Sequence, residues 1–153
     1  MSISSYLFRS LMLERPARSK SLAELTEDLV VTGREITTTI AGAPDTPENR
    51  QALSHVIGIE RWGQRRLRVA LGEPLLVEEY DGYRPGQEES LAQLQAAFQA
   101  TRQETLSIAR QLQEQQVPVD LTIPHNSLNE LTVRGWLRYL TIHASWESKR
   151  VKN

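Results

Sequence analysis

The chain has 153 residues, 39% hydrophobic and 24% charged, which suits one globular domain with a single core rather than a disordered or membrane-spanning chain. It contains no cysteine, so disulfides, zinc–thiolate sites and cysteine nucleophiles are excluded, and any metal must be held by nitrogen and oxygen. A net charge of −1 supplies no general attraction to nucleic acid, and no segment reaches the roughly 20 apolar residues of a membrane span.

Residues 1–19 carry an apolar run that Arg9 interrupts, with no small-residue cleavage site behind it. No export signal is expected there, and the expected compartment is the cytoplasm. Tyr6, Leu7, Leu11 and Leu13 fit a short helix packed on the main body or on a second copy, and they fit equally a partly ordered basic arm. A first long helix is predicted over about 20 to 41: Leu22, Leu25, Leu29, Ile36 and Ile40 recur at near-heptad steps, and Ser21 with Glu24 makes a capping box. Thr46-Pro47 opens a second helix, about 47 to 71, which carries Ala52, His55, Ile59, Trp62 and Leu67 and stops at Gly72. The third, about 87 to 116, has the cleanest pattern: Leu91, Leu94, Phe98, Thr101, Thr105, Ile108 and Leu112 alternate steps of three and four. Ser127 and Glu130 read as a second capping box, starting a last helix from 128 to 150 whose basic end at Lys149, Arg150 and Lys152 complements the helix dipole. Val117, Val119, Leu121 and Ile123 alternate like a strand, but two prolines and the lack of a partner argue against one. Four long helices without a credible strand predict an all-α fold, a four-helix bundle over 20–153 with a short N-terminal extension.

The last helix holds the most informative pair. His143 and Glu147 are four residues apart, so their side chains stack on one face, and Trp136 and Leu140 place that face on the stripe that should meet the core. A carboxylate buried there needs compensation from a metal, an arginine or a water-filled pocket. Arg61, Arg65 and Arg66 on the second helix are candidate partners for Glu147, as are Lys149 and Arg150 if it faces solvent. A third ligand would come from His55, which could instead be a core histidine bonded to a carbonyl or a threonine. His125, beside Pro124, reads as a turn or cap residue or, with an ordinary imidazole pKa near neutrality, as a proton shuttle at a pocket mouth. Arg61, Arg65, Arg66 and Arg68 form a basic face, read first as solvated and second as a site for a small anionic ligand or a thiol cofactor. Trp62, Trp136 and Trp146 suit core or interface packing.

Taken together, the segment Ser54-His55-Val56-Ile57-Gly58-Ile59-Glu60-Arg61-Trp62, the Leu71-Gly72-Glu73-Pro74 exit, the loop Glu79-Tyr80-Asp81-Gly82-Tyr83-Arg84-Pro85 and the closing His143-Ala144-Ser145-Trp146-Glu147 resemble the DinB-like superfamily over about 20 to 150. These are damage-inducible four-helix proteins, distinct from the polymerase of the same name, with thiol-dependent transferases and isomerases among their relatives. The resemblance implies a bundle, often a homodimer, with a divalent metal held at one end by a histidine of the second helix and a His-x-x-x-His pair of the last. Carried over residue by residue, those ligands become His55, His143 and Glu147, and the same resemblance sets Tyr80 and Tyr83 in a loop bordering the site. Glutamate in place of the second histidine turns a three-histidine site into two histidines and a carboxylate, a set that accepts zinc, nickel, manganese or ferrous iron.

Two classes of function follow. One is a metal-dependent hydrolase or thiol-dependent transferase acting on a small molecule or thiol. The other is a non-enzymatic dimeric bundle, a stress or interaction protein, in which the former ligands form a polar core network. No Gly-x-Ser-x-Gly nucleophile, phosphate-cradling glycine loop or dinucleotide motif is present, and neither a nucleic acid nor a membrane is an expected partner.

Overall fold

Helix boundaries fall where side chains satisfy the free amides of a first turn. In the computed structural model, which describes all 153 residues, Ser21 and Glu24 close their capping box at the start of α3 (Leu22–Ile40). Thr46 caps α4 (Pro47–Val69) by accepting from the Asn49 amide. Ser90 with Gln93 closes a second box at α5 (Leu91–Glu114), so this helix begins at the first residue of its apolar pattern rather than at about 87. α3 packs on α5 and on α6 (Val133–Glu147), and α4 packs on the same two, which makes the four-helix bundle. Leu25, Leu29, Leu53, Ile57, Leu67, Phe98, Ile108, Trp136 and Leu137 fill its interior.

The N-terminal residues are helical and belong to the same body. Ser2 caps α1 (Ile3–Leu7), a π-helical stretch Phe8–Glu14 follows, and α2 (Arg15–Arg18) completes the segment. Pro16 has no amide proton to give the carbonyl four residues back, and Arg138 Nε donates to that Met12 oxygen at 2.7 Å. Leu13 and Ala17 are fully buried, and the Glu14 carboxylate accepts from both the amide and the hydroxyl of Thr132 at 2.9 and 2.8 Å.

The segment before the last helix corrects the sequence reading twice. Thr122–His125 (β1) and Asn129–Thr132 (β2) form a small antiparallel hairpin, with Ile123 opposite Leu131 and Pro124 opposite Glu130. The missing partner strand is thus the stretch expected to open the last helix, and Ser127 with Glu130 makes no capping box. Asn129 adopts φ 67°, the left-handed region that asparagine tolerates in tight turns, and this breaks helical geometry at that point. Ile123 and Leu131 are buried as a cross-strand pair. Thr132 then caps α6 (Val133–Glu147), and a 3-10 turn Ser148–Arg150 ends it.

A buried ion pair, hidden from hydrophobic periodicity, crosses the interior. Arg102 of α5 donates to both carboxylate oxygens of Glu60 on α4, at 2.7 and 2.9 Å, and to the Leu29 carbonyl of α3 at 2.8 Å. Thr105 donates to the same carboxylate at 2.7 Å. With Glu60 1% and Arg102 3% exposed, the pair is fully desolvated, and its hydrogen bonds tie three helices together. No helix is long and apolar enough to cross a membrane.

Candidate functional site

α4 and α6 bring the three sequence-predicted residues together. His55 Nε2 lies 3.9 Å from Glu147 Oε2, and the rings of His55 and His143 have centroids 5.2 Å apart. Four-residue spacing on α6 aims His143 and Glu147 at the same side of α4, and the cluster is half-buried rather than sealed. Tyr80, from the 3-10 turn Tyr80–Tyr83, stands edge-on to His55 with centroids 5.2 Å apart, so the tyrosine loop borders the cluster. Tyr139 lies beside His143, centroids 5.7 Å apart.

Burial sets the protonation of this group. It pushes His143 down to about 4, with His55 adding to the effect and Glu147 opposing it, and it lowers His55 against the same opposition from Glu147. For Glu147, burial alone acts upward; the hydrogen bond from Arg150 and the nearby imidazoles outweigh it and hold the carboxyl below its ordinary value. Two neutral imidazoles and an ionised carboxylate result, all with lone pairs to offer.

The compensation expected for Glu147 comes from Arg150, whose Nη1 donates to Oε2 at 2.9 Å. The arginines of α4 are engaged elsewhere, and this corrects their reading as a solvated or ligand-binding face. Arg61 donates to Thr101 and to the Tyr83 carbonyl, Arg65 to Glu73 and the Pro74 carbonyl, and Arg68 to Glu104. Arg66, 1% exposed, donates to the Pro124 carbonyl and to Asn126 at 2.7 Å each. Arg61 and Arg65 fasten the 73–84 loop to the bundle, Arg66 fastens the hairpin, and Arg68 joins α4 to α5.

His125 is a turn residue. Its Nδ1 accepts from the amides of Ser127 at 3.1 Å and Leu128 at 3.2 Å, which holds the turn between β1 and β2. An Nδ1 that accepts two N–H groups carries no proton, so Nε2 bears it, and that atom is buried without a partner. Trp62, Trp136 and Tyr139 surround the ring with centroids 5.1, 5.1 and 4.9 Å away. Burial, then the Arg66 charge, then His143, pushes its pKa down to about 4. The near-neutral value and the pocket-mouth position that a proton shuttle requires are both lacking. Trp62 and Trp136 are core residues that donate to the Glu78 and Ile123 carbonyls, whereas Trp146 packs on Phe8 and stays 46% exposed.

Whether these residues fit a metal rests on donor chemistry and spacing. Ligands of a tetrahedral ion at about 2.1 Å stand about 3.4 Å apart, so the 3.9 Å between His55 Nε2 and Glu147 Oε2 is about half an ångström too wide. No three His, Asp or Glu groups are drawn together at ligating distance. The donor types and protonation states are those a divalent ion needs, and to hold one the three side chains would have to draw closer and Glu147 would have to leave Arg150.

Neither a curated protein nor a solved structure matches the chain significantly. A family model for the DinB superfamily matches residues 14–145, a span that takes in the docked end of the N-terminal segment, the hairpin, α3, α4, α5 and most of α6, and both His55 and His143, while Glu147 lies just beyond it. With most of its length covered by that model, and with the helical bundle the model describes, the chain belongs to the DinB superfamily.

Proposed function

We propose that the chain is a metal-dependent enzyme of its superfamily, holding one divalent ion (zinc, nickel, manganese or iron) through His55, His143 and Glu147. The observation that carries this reading is the placement of His55 on α4 against His143 and Glu147 of α6, with His55 also on the rim of an open polar pocket of about 250 Å³ bordered by Glu48, Gln51, Arg84 and Arg150. A divalent ion held there supplies Lewis acidity toward a water or a thiol, the chemistry of hydrolysis or of thiol-dependent transfer. The protein's own contributions are orientation and exclusion. Tyr80 packs at right angles to the His55 ring and Tyr139 packs beside the His143 ring, contacts that would orient both imidazoles. Arg150 neutralises Glu147 when no ion is present, so releasing it is part of the binding cost.

Titration of chelator-treated protein with each of the four metals tests the reading. One ion per chain and a raised thermal midpoint are expected, both lost in His55→Ala and His143→Ala. No stoichiometric binding of any of the four would reject it. The Arg150–Glu147 hydrogen bond favours a second reading, a non-enzymatic bundle in which the cluster is a closed polar network. His143→Ala would then lower stability and change no metal signal.

We place the protein in the cytoplasm as a homodimer. The exposed apolar residues Ile3, Tyr6, Leu7, Leu11 and Trp146 support the association. Sedimentation of the intact chain, with Leu11→Asp shifting a dimer to monomer, tests that part.

A further inference from the structure

A larger groove of about 700 Å³ lies along the first half of α4, between Arg50, Gln51 and Ser54 on the helix and Asp81, Arg84 and Gln87 on the loop. Its volume is that of a small-molecule site, and although its exposed surface is polar and apolar in about equal share, charged and polar side chains supply most of its lining residues and offer a ligand hydrogen bonds. Gln51 and Arg84 border both this groove and the smaller pocket at His55. The Arg84 guanidinium therefore stands where the two join.

Arg84 is held in that place. Its side chain lies across Gly58, where an added Cβ would come 2.5 Å from Arg84 Cγ and 3.3 Å from the Tyr80 carbonyl oxygen, so any larger residue would push the arginine off the helix. Nε donates to Ser54 Oγ and Nη2 to the Gln51 carbonyl, each at 3.2 Å. Those two bonds fix the plane of the guanidinium and use two of its five N–H groups. Asp81 is 3.6 Å from Nη1, beyond hydrogen-bond distance, and its side chain is 68% exposed. Both protons of Nη1 and the outer proton of Nη2 are left to face a ligand. Arg50, on the same groove, is different: its Nε is already hydrogen-bonded to the Asp45 carboxylate.

We infer that Arg84 anchors the oxyanion of a polar small molecule, a carboxylate or a phosphate group, which lies in the groove with its other end toward His55. A planar fork with free donors on adjacent nitrogens matches both groups in a two-point contact, and the positive charge lacks a tight carboxylate partner to compete. The inference deepens the proposed metal-site reading by naming the substrate class, and rests on that reading for what happens at the far end.

The test uses full-length, chelator-treated protein, with succinate and inorganic phosphate as probes at low ionic strength, followed by NMR of the Arg84 side-chain Nε–H and the amides of Gln51 and Ser54. Saturable shifts at these three positions are expected, weakening as salt is added. Arg84→Gln should weaken binding at least about tenfold, since hydrogen bonds to charged groups are lost. Arg84→Lys should fall between, because it keeps the charge without the fork, and Arg110→Gln, an exposed arginine of α5, should bind as the wild type does. The tighter of the two probes identifies the oxyanion. No saturable shift in the wild type, or equal affinity in folded Arg84→Gln or Arg84→Lys and wild type, overturns the inference. Metal titration of the same samples separates the two readings: Arg84-dependent anion binding without metal uptake rejects the metal site alone, and metal uptake without it rejects the anchor alone.

Discussion

His125 should make stability depend on pH in a way that one substitution removes. Its pKa is about 4 in the folded chain against an ordinary 6.5, so between those values the unfolded chain binds more protons, and lowering the pH favours unfolding. The groups facing it reinforce this: Arg66 from α4 and His143 from α6 both disfavour a second positive charge, and Trp62, Trp136 and Tyr139 offer it no counter-ion. Above pH 6.5 the group is neutral in both states and costs nothing. Linkage then gives a loss of about 2 kcal/mol on going from pH 8 to pH 5, rising to about 3 kcal/mol below pH 4. His125→Asn retains an acceptor for the Ser127 and Leu128 amides and cannot titrate. At pH 8 it should be less stable than wild type by about 1–2 kcal/mol, because the ring leaves the aromatic cluster. Near pH 5 that deficit should shrink to about zero or reverse, while both curves still fall because His143 titrates in each. Urea unfolding across this range, with slopes unchanged between variants, measures the difference directly. A deficit that stays constant from pH 8 to pH 5 would refute the claim that the fold holds this imidazole neutral.

Two further outcomes follow from the same physics. Arg102→Met leaves Glu60 buried without its partner and should cost about 3–5 kcal/mol, seen as a thermal midpoint lowered by roughly 6–20 °C. Glu60→Met with Arg102→Met should recover most of that loss, and a double variant no better than the single one would mean the pair is not an isolated charge couple. Asn129→Ala should destabilise by about 1–2 kcal/mol, since φ 67° suits alanine poorly, whereas Asn129→Gly should be tolerated. Equal stability of the two would show that the hairpin turn does not require left-handed backbone.

The parts of this fold legible in the sequence are those fixed by local chemistry. Ser21 with Glu24 and Thr46 with Pro47 satisfy first-turn amides within four residues, so α3 and α4 could be bounded from the letters alone. His143 and Glu147 share a face because helical geometry demands it, and the pattern resemblance supplied His55 as their neighbour. What escaped depends on tertiary context. Ser127 and Glu130 satisfy the capping-box pattern as well as a true box does, yet burial of Ile123 against Leu131 and the His125 side chain decide for a hairpin. Glu60 and Arg102 look like surface residues to any hydrophobicity measure, and only the convergence of three helices makes their burial affordable. The arginines of α4 look like a free basic face until the 73–84 loop folds back onto them. Arg84 sits in a loop whose position no local rule predicts, and Gly58, four residues from Trp62 in the same helix, is the one letter that marks where its side chain crosses.

The proposed ion joins His55, His143 and Glu147 across α4 and α6. Anomalous-difference maps from crystals grown with zinc, nickel, manganese and iron in turn would locate it. The account predicts a single strong peak about 2.0–2.2 Å from a ring nitrogen of each histidine and from a Glu147 oxygen, with Arg150 swung away from that carboxylate. No peak between the two helices with any of the four metals, and Arg150 still bonded to Glu147, would contradict it.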